Sequence, residues 1–307
     1  MSSSDELTEY FDGNELLLKK VKKLAKMIRK AKSIVIYTGA GISTAAGVPD
    51  YRGPNGVWTC RDQGRKAPRM KKAWNLLEPT YGHMTIATLI ERGNVKHLVS
   101  QNVDGLHVHS GVPLEKISEL HGNTNKEFCV DCEKEYFRPF CVDDESTICT
   151  NHVTGRFCDE CGGVLHDSII NFGENLNSKI LKKATEVSKK CDLALVLGTS
   201  LKVTPASSLP VISVKRQTGK LVICNLQKTP KDKYASLLIK GKIDKVCKLL
   251  MKELEIPVLT FRQTLELRAK QIKSKEKKKK KKTKNKKKKQ VNEKPKVTKK
   301  KKKSKKK

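Results

Sequence analysis

The chain has 307 residues and a formal net charge of +33, but residues 268–307 hold 25 Lys and Arg against 2 Glu, so +23 of that charge lies in the tail. Lysine blocks such as 277–282 repel one another and offer nothing to bury, so a disordered tail is expected, leaving about 260 residues for a large core with a small appendage. Ten cysteines without an apolar leader behind Met1, and no apolar run near the roughly 18 residues of a membrane span, argue against a secreted disulfide scaffold and a membrane protein; a soluble intracellular chain with metal-binding cysteines is expected.

In chain order, Leu17, Val21, Leu24 and Ile28 recur at three- and four-residue spacing and predict an amphipathic helix over 14–31, with lysines on its other face. A buried strand follows at 33–37 and breaks into the turn Thr38-Gly39-Ala40-Gly41-Ile42-Ser43. Further strands are predicted at 95–100, 116–120, 168–172, 192–197 and 221–226, and helices at 81–92, 178–190, 206–215 and 243–253. Strands alternating with helices predict an α/β fold, a Rossmann-like parallel sheet with helices on both faces. Residues from about 123 to 164 break this rhythm and predict a small inserted zinc-binding domain.

Two cysteine pairs mark that insert, Cys129-x-x-Cys132 and Cys158-x-x-Cys161. Each pair lets two thiolates reach one ion from a single turn, and two pairs complete the closed S4 shell of a structural zinc site. Cys141, Cys149 and His152 lie between the pairs and are competing, though unpaired, ligand candidates. With all four positions filled by protein, the one zinc ion is expected to hold structure and to leave no position open for substrate.

Gly39 and Gly41 after a strand suit close backbone approach to a dinucleotide pyrophosphate, although the third glycine of G-x-G-x-x-G is absent. The loop 47–58, punctuated by glycine and proline, carries Asp50, Tyr51, Arg52 and Trp58. It is too polar and broken for a core and suits folding over a bound ligand.

Gly39-Ala-Gly-Ile-Ser43, Pro49-Asp-Tyr-Arg52, Gln101-Asn-Val-Asp104, His121-Gly122, the cysteine pairs, Phe172-Gly-Glu174, Gly198-Thr-Ser200 and Asn225 follow one another in the order found in the sirtuins. The chain resembles that family from about residue 31 to 257. The runs 52–59 and 226–230 resemble its nuclear class IV branch, that of sirtuins six and seven. The implied organisation is an N-terminal segment over 1–30, a catalytic body over 31–257 with the zinc module inserted, and a polylysine tail over 262–307.

The resemblance implies an NAD-consuming protein-lysine deacylase, releasing nicotinamide and O-acyl-ADP-ribose, with NAD and acyl-lysine meeting in a cleft between the two lobes. His121 is then the general base for a ribose hydroxyl, since an imidazole accepts a proton near neutral pH. Asn102 orients ribose or water, and Asp104 accepts from the nicotinamide carboxamide or, on a plainer reading, caps the following helix. Gln101 touches ribose hydroxyls. Ala40, Gly41 and Thr44 line the phosphate turn, and Asp50, Tyr51, Arg52 and Trp58 belong to the loop over the cofactor. Gly198, Thr199 and Ser200 meet phosphate and ribose, Asn225 and Gln227 the adenosine end, and Ile243 the adenine face. For Trp58 and Ile243 ordinary packing is the competing reading. The segments 172–174 and 201–205 flank an extended substrate peptide.

Lysine runs bind phosphate backbones through counterion release and also act as nuclear import signals. DNA, nucleosomes or RNA are the expected tail partners, histone tails the expected substrates, and the nucleus the expected location; a merely solvated tail is the plain alternative. Two other functions fit the same residues: transfer of ADP-ribose to protein, and a chromatin scaffold with a weak NAD site. A dehydrogenase fits less well, because no acidic ribose partner is evident after the strand that follows the glycine turn.

Overall fold

Isoleucine and valine fill the first strand, Ile34–Thr38 (β1), every residue of which is buried, as expected where helices cover both faces of a sheet. The fold comes from a computed structural model that describes residues 7–70, 72–142, 150–267 and 269–270. Contacts divide the chain into a unit over 1–261 and a second over 262–307. In the second unit residues 262–267 are helical, and most of the expected tail, 271–307, lies outside the described residues.

In the first unit β1 pairs in parallel with Val95–Ser100 (β2) on one side and Leu193–Leu197 (β8) on the other. Ile117–Glu119 (β3) extends the sheet beyond β2, while Lys220–Cys224 (β9) and Leu237–Ile239 (β10) extend it beyond β8, giving the order β10-β9-β8-β1-β2-β3. Successive side chains point to opposite faces. Ile34 and Ile36 therefore join Leu98, Leu193 and Leu195 in one core, and Val35 and Tyr37 join Val99, Ala194 and Val196 in the other. The chain leaves β1 toward β2 but reaches β8 only later, so a topological switch point lies at the carboxyl ends of β1 and β8, where open α/β sheets bind ligands.

The helix Asn14–Lys30 (α1) buries Leu17, Val21, Leu24 and Ile28, as their spacing predicts. It packs with Tyr81–Glu91 (α3) and Ile243–Leu254 (α7) over the first core, while Ser178–Lys190 (α5) and Ile212–Lys215 (α6) cover the second. Two short helices, Val57–Asp62 (α2) and Leu106–Ser110 (α4), lie in the connections after β1 and β2. No helix among the described residues is long and apolar enough to cross a membrane.

The insert is a four-stranded antiparallel sheet ordered β5-β4-β7-β6, from Lys126–Cys129 (β4), Glu135–Phe137 (β5), Val153–Phe157 (β6) and Val164–Asp167 (β7). At its centre the fully buried Glu127 accepts from Arg138 Nε at 2.6 Å, Arg156 Nε at 2.7 Å and Thr154 Oγ1 at 2.8 Å. Burial alone would raise the Glu127 pKa, but the arginines and Thr154 outweigh it, and the carboxyl lies below the usual range.

Two sequence readings need correction. Residues 168–172 are not a strand: the strand ends at Asp167, and the following residues are irregular up to a turn at Phe172, with Ile170 N bonded to the His121 carbonyl at 3.0 Å. The predicted helix over 206–215 is a 3-10 turn, Ala206–Val211, followed by the short α6, because Pro210 brings no N–H to a continuous helix. Strand β10 and helices α2 and α4 escape prediction because each is only three to six residues long.

Candidate active site

The switch point is built by glycines packed backbone to backbone. Gly41 N donates to the Gly198 carbonyl at 2.9 Å, and a Cβ on Gly41 would come within 2.8 Å of Gly198 Cα. Gly198 adopts φ +66°, and a Cβ there would sit 2.7 Å from the Gly41 carbonyl carbon. Gly39 is closed in the same way by Thr199, whose Cβ lies 2.6 Å from where a Cβ would stand. The loops after β1 and β8 thus form a cradle of bare backbone, the surface a pyrophosphate needs.

Two cavities of about 890 Å³ each open on this cradle and share Gly41, Asp50, Gly53, Gly198, Asn225 and Gln227. Ala40, Gly39, Tyr51, Arg52, Trp58, Gln101, Asn102, His121, Thr199 and Ser200 line the one toward β2. Thr44 and Ile243 line the one toward β9 and β10. Every predicted cofactor residue therefore faces one of two adjoining cavities, except Asp104.

His121 follows β3, one edge strand of the sheet. Its Nδ1 lies 2.9 Å from the Gln101 carbonyl, which can only accept, so Nδ1 carries the proton and Nε2 keeps its lone pair. Burial outweighs that hydrogen bond and lowers the His121 pKa, so the imidazole is neutral at neutral pH. Gly122, at φ +84°, must be glycine because a Cβ would run into the Ser168 carbonyl. Gln101 Nε2 donates to Thr199 Oγ1 at 3.0 Å, which ties the loop after β2 to the loop after β8.

Asp104 sits one layer behind the cavity wall. It accepts from Leu106 N at 3.0 Å, the helix-start contact expected on the plainer reading, and from Ser43 Oγ at 2.5 Å. Asn102 Nδ2 donates to the same Ser43 Oγ at 3.2 Å. His83 accepts the Thr80 N–H at Nδ1, 3.2 Å, which leaves Nε2–H directed at Ser43 Oγ, 3.5 Å away. Burial raises the Asp104 pKa and lowers those of His83 and of its neighbour His107, the latter to about 3. Ser43 is thus the hub of a buried polar layer, a role that its place in the glycine motif does not announce.

The loop over the cavity is held by aromatics and backbone contacts. Tyr51 and Trp58 stack with centroids 5.9 Å apart, and Trp58 meets Phe172 edge-on at 5.7 Å. Gln227 Nε2 donates to the Arg52 carbonyl at 2.8 Å, so the loop is also tied to the β9 end of the sheet. Ile169, Ile170 and Leu181 add an apolar wall that sequence reasoning missed, because their apolarity alone reads as core.

In the insert the four Sγ atoms of Cys129, Cys132, Cys158 and Cys161 lie within 4.8 Å of one another. A tetrahedral zinc with Zn–S near 2.3 Å separates its sulfurs by about 3.8 Å, so the set fits one zinc ion. The Tyr136 hydroxyl is 3.1 Å from Cys158 Sγ and holds that thiol below the ordinary cysteine range. His152 is not part of this cluster: its Nδ1 lies 3.1 Å from Asp167 Oδ1 and its Nε2 2.9 Å from Glu174 Oε1. Cys141 is also outside it, and Cys149 lies outside the described residues.

A family model described as "Sir2 family" matches residues 65–205. NAD-dependent protein deacetylase sirtuin-7 of Mus musculus is 48% identical over 259 residues, covering 81% of this chain and 64% of the mouse protein. NAD-dependent protein deacetylase Sirt6 of Drosophila melanogaster is 40% identical over 260 residues, covering 81% of this chain and 80% of the fly protein. The chain belongs to the Sir2 family. A solved Sir2 complex with a p53 peptide and NAD+ superposes on this sirtuin with a TM-score of 0.60 at 33% identity, covering 76% of this chain and 98% of that one. The sirtuin described here spans about half to two thirds of the length of several curated relatives that it matches.

Proposed function

We propose that this sirtuin is an NAD-dependent protein-lysine deacylase that acts on nuclear proteins such as histones. One observation carries the reading: a neutral His121 with a free Nε2 lone pair shares a cavity with Gln101, Asn102 and a bare-backbone glycine cradle. Relatives named NAD-dependent protein deacetylases, and a Sir2 neighbour solved with NAD+ and a peptide, support it.

NAD supplies a ribose carbon that can exchange nicotinamide for the oxygen of an acylated lysine. The protein's task is alignment and exclusion of water. The Gly39, Gly41 and Gly198 backbone holds the phosphates. Gln101 and Thr199, already bonded to each other, face the ribose, and Asn102 orients it. His121 Nε2 takes the ribose hydroxyl proton. As it stands, Asp104 positions Ser43 and through it Asn102; contact with the nicotinamide carboxamide requires it to reach the cavity, whose wall it does not line. Tyr51, Trp58, Phe172 and the Ile169–Ile170 wall keep bulk water from the reacting centre. The substrate backbone lies as an added strand between residues 172–174 and 201–205, an arrangement that reads peptide sequence loosely.

The catalytic body is taken as residues 31–257, with the zinc ion stapling the insert that closes one side of the cleft. The basic tail brings the enzyme to DNA, nucleosomes or RNA in the nucleus, and its charge of +23 over 268–307 supports this. Mass spectrometry of acyl-histone peptides incubated with NAD, with and without nucleosomal DNA, tests the activity: deacylated peptide must appear with free nicotinamide. ADP-ribosylated protein without deacylation would favour the transferase reading instead. For the tail, full-length chain and a chain ending at Gln263 are compared on nucleosomes across a salt series, and equal binding would remove that part.

A further inference from the structure

The glycine turn after β1 is not followed by the acidic residue that usually receives the adenosine ribose of NAD in doubly wound folds. The structure brings a carboxylate to that end of the cleft from elsewhere. Ahead of α1 the chain crosses the carboxyl ends of β9 and β10. Tyr10 N donates to the Leu226 carbonyl at 3.1 Å and Asp12 N to the Lys240 carbonyl at 2.7 Å. Lys240 N returns a bond to Asp12 Oδ2 at 2.8 Å, and Lys20 Nζ holds Asp12 Oδ1 at 2.5 Å. This strap carries Glu9 into the wall of the cavity shared with Asn225, Gln227, Ile243 and Asp50.

We propose that Glu9 is the acidic residue that receives the adenosine ribose and excludes a 2′-phosphate. The inference rests on the reading of this cleft as an NAD site. Three relationships support it. With His121 and Asn102 on the β2 side of the cradle, the adenosine half of a dinucleotide must extend over β8, β9 and β10, where Glu9 stands. A carboxylate accepts from both hydroxyls of a ribose diol, a pairing that a phosphate ester at the 2′ position destroys. Asp50 is close enough to Glu9 to act on its charge, so a 2′-phosphate would meet two like charges, only partly offset by Lys242. The strap's tie to Lys240 explains how a residue distant in sequence is held at a ligand wall.

The test uses the full chain and calorimetric titration with NAD and NADP, alongside steady-state deacylation. Wild type should prefer NAD to NADP by about a hundredfold or more, since both a charge-assisted hydrogen bond and a repulsion separate them. Glu9→Gln should weaken NAD about tenfold, raise KM for NAD with kcat nearly unchanged, and cut the NAD over NADP preference. Asp12→Asn, which leaves Glu9 in place but loosens the strap, should weaken NAD in the same direction. If wild type binds NAD and turns over while Glu9→Gln changes neither NAD affinity nor the NADP ratio, the assignment to Glu9 is wrong and the NAD site stands. If wild type binds neither dinucleotide, the NAD reading fails and Glu9 loses its role with it.

Discussion

His121 and the Gln101 carbonyl meet at 2.9 Å, and that one contact decides which face of the imidazole can act. The N–H at Nδ1 is spent on the backbone carbonyl, so Nε2 is the only nitrogen able to accept from a substrate hydroxyl. The second effect is on charge: burial keeps the ring neutral below the ordinary histidine range.

The pH profile of deacylation follows from that shift. The base must be unprotonated, so kcat/KM should fall only as pH drops through a value below 6.5, giving a flat profile from there to neutrality. His121→Ala should lower kcat by about a hundredfold or more with an unchanged unfolding midpoint. An acid limb centred above 6.5 would mean that a different group supplies the base.

The glycine cradle is tight enough to test by adding one methyl group. Gly41→Ala should cost about 1–3 kcal/mol in urea unfolding, because the new Cβ meets Gly198 backbone that cannot swing aside. NAD affinity should fall with it. An alanine variant as stable as wild type would show that the loops after β1 and β8 have room to part.

Metal content and its outer contact give a separate prediction. The purified chain should hold one zinc per molecule, and Cys158→Ser should lose it together with the near-ultraviolet signature of the insert. Tyr136→Phe removes the hydroxyl beside Cys158 Sγ and should weaken zinc about ten- to a hundredfold in a chelator competition. Unchanged competition would reduce Tyr136 to packing.

His152 ties the loop bearing Phe172 to the insert. Glu174 first, then Asp167, raise the pKa of this imidazole, so the bridge is complete below 6.5 and is lost as pH rises through a folded value above it. Trp58, which touches Phe172, should report the loosening as a fluorescence change on the alkaline side of 6.5. In His152→Gln that change should vanish. Its persistence in the variant would assign the transition to another group.

Much of this was legible in the chain itself. The amphipathic α1, the buried β1 and β8, the two cysteine pairs and the ordered motifs each carry a local signal: spacing, branched apolar runs, or paired ligands. Local signals fail where a role depends on a partner far along the chain. Residues 168–172 look like a strand because Ile169, Ile170 and Phe172 are apolar and β-prone, yet the segment joins neither sheet. His152 is a competing ligand candidate by proximity in sequence, but its ring is taken by two carboxylates.

Sequence by itself pointed to the family through the resemblance of its motifs in series, to the alternating α/β plan through periodicity, and to the four metal-binding thiols through their paired spacing. Only the tertiary structure decided that Asp104 lies behind Ser43, that Ser43 joins Asn102 to it, and that Glu9 reaches the cleft 41 residues ahead of Asp50. Those placements depend on which loops end at one edge of the sheet, and strand order sets that through contacts between segments that share no local pattern.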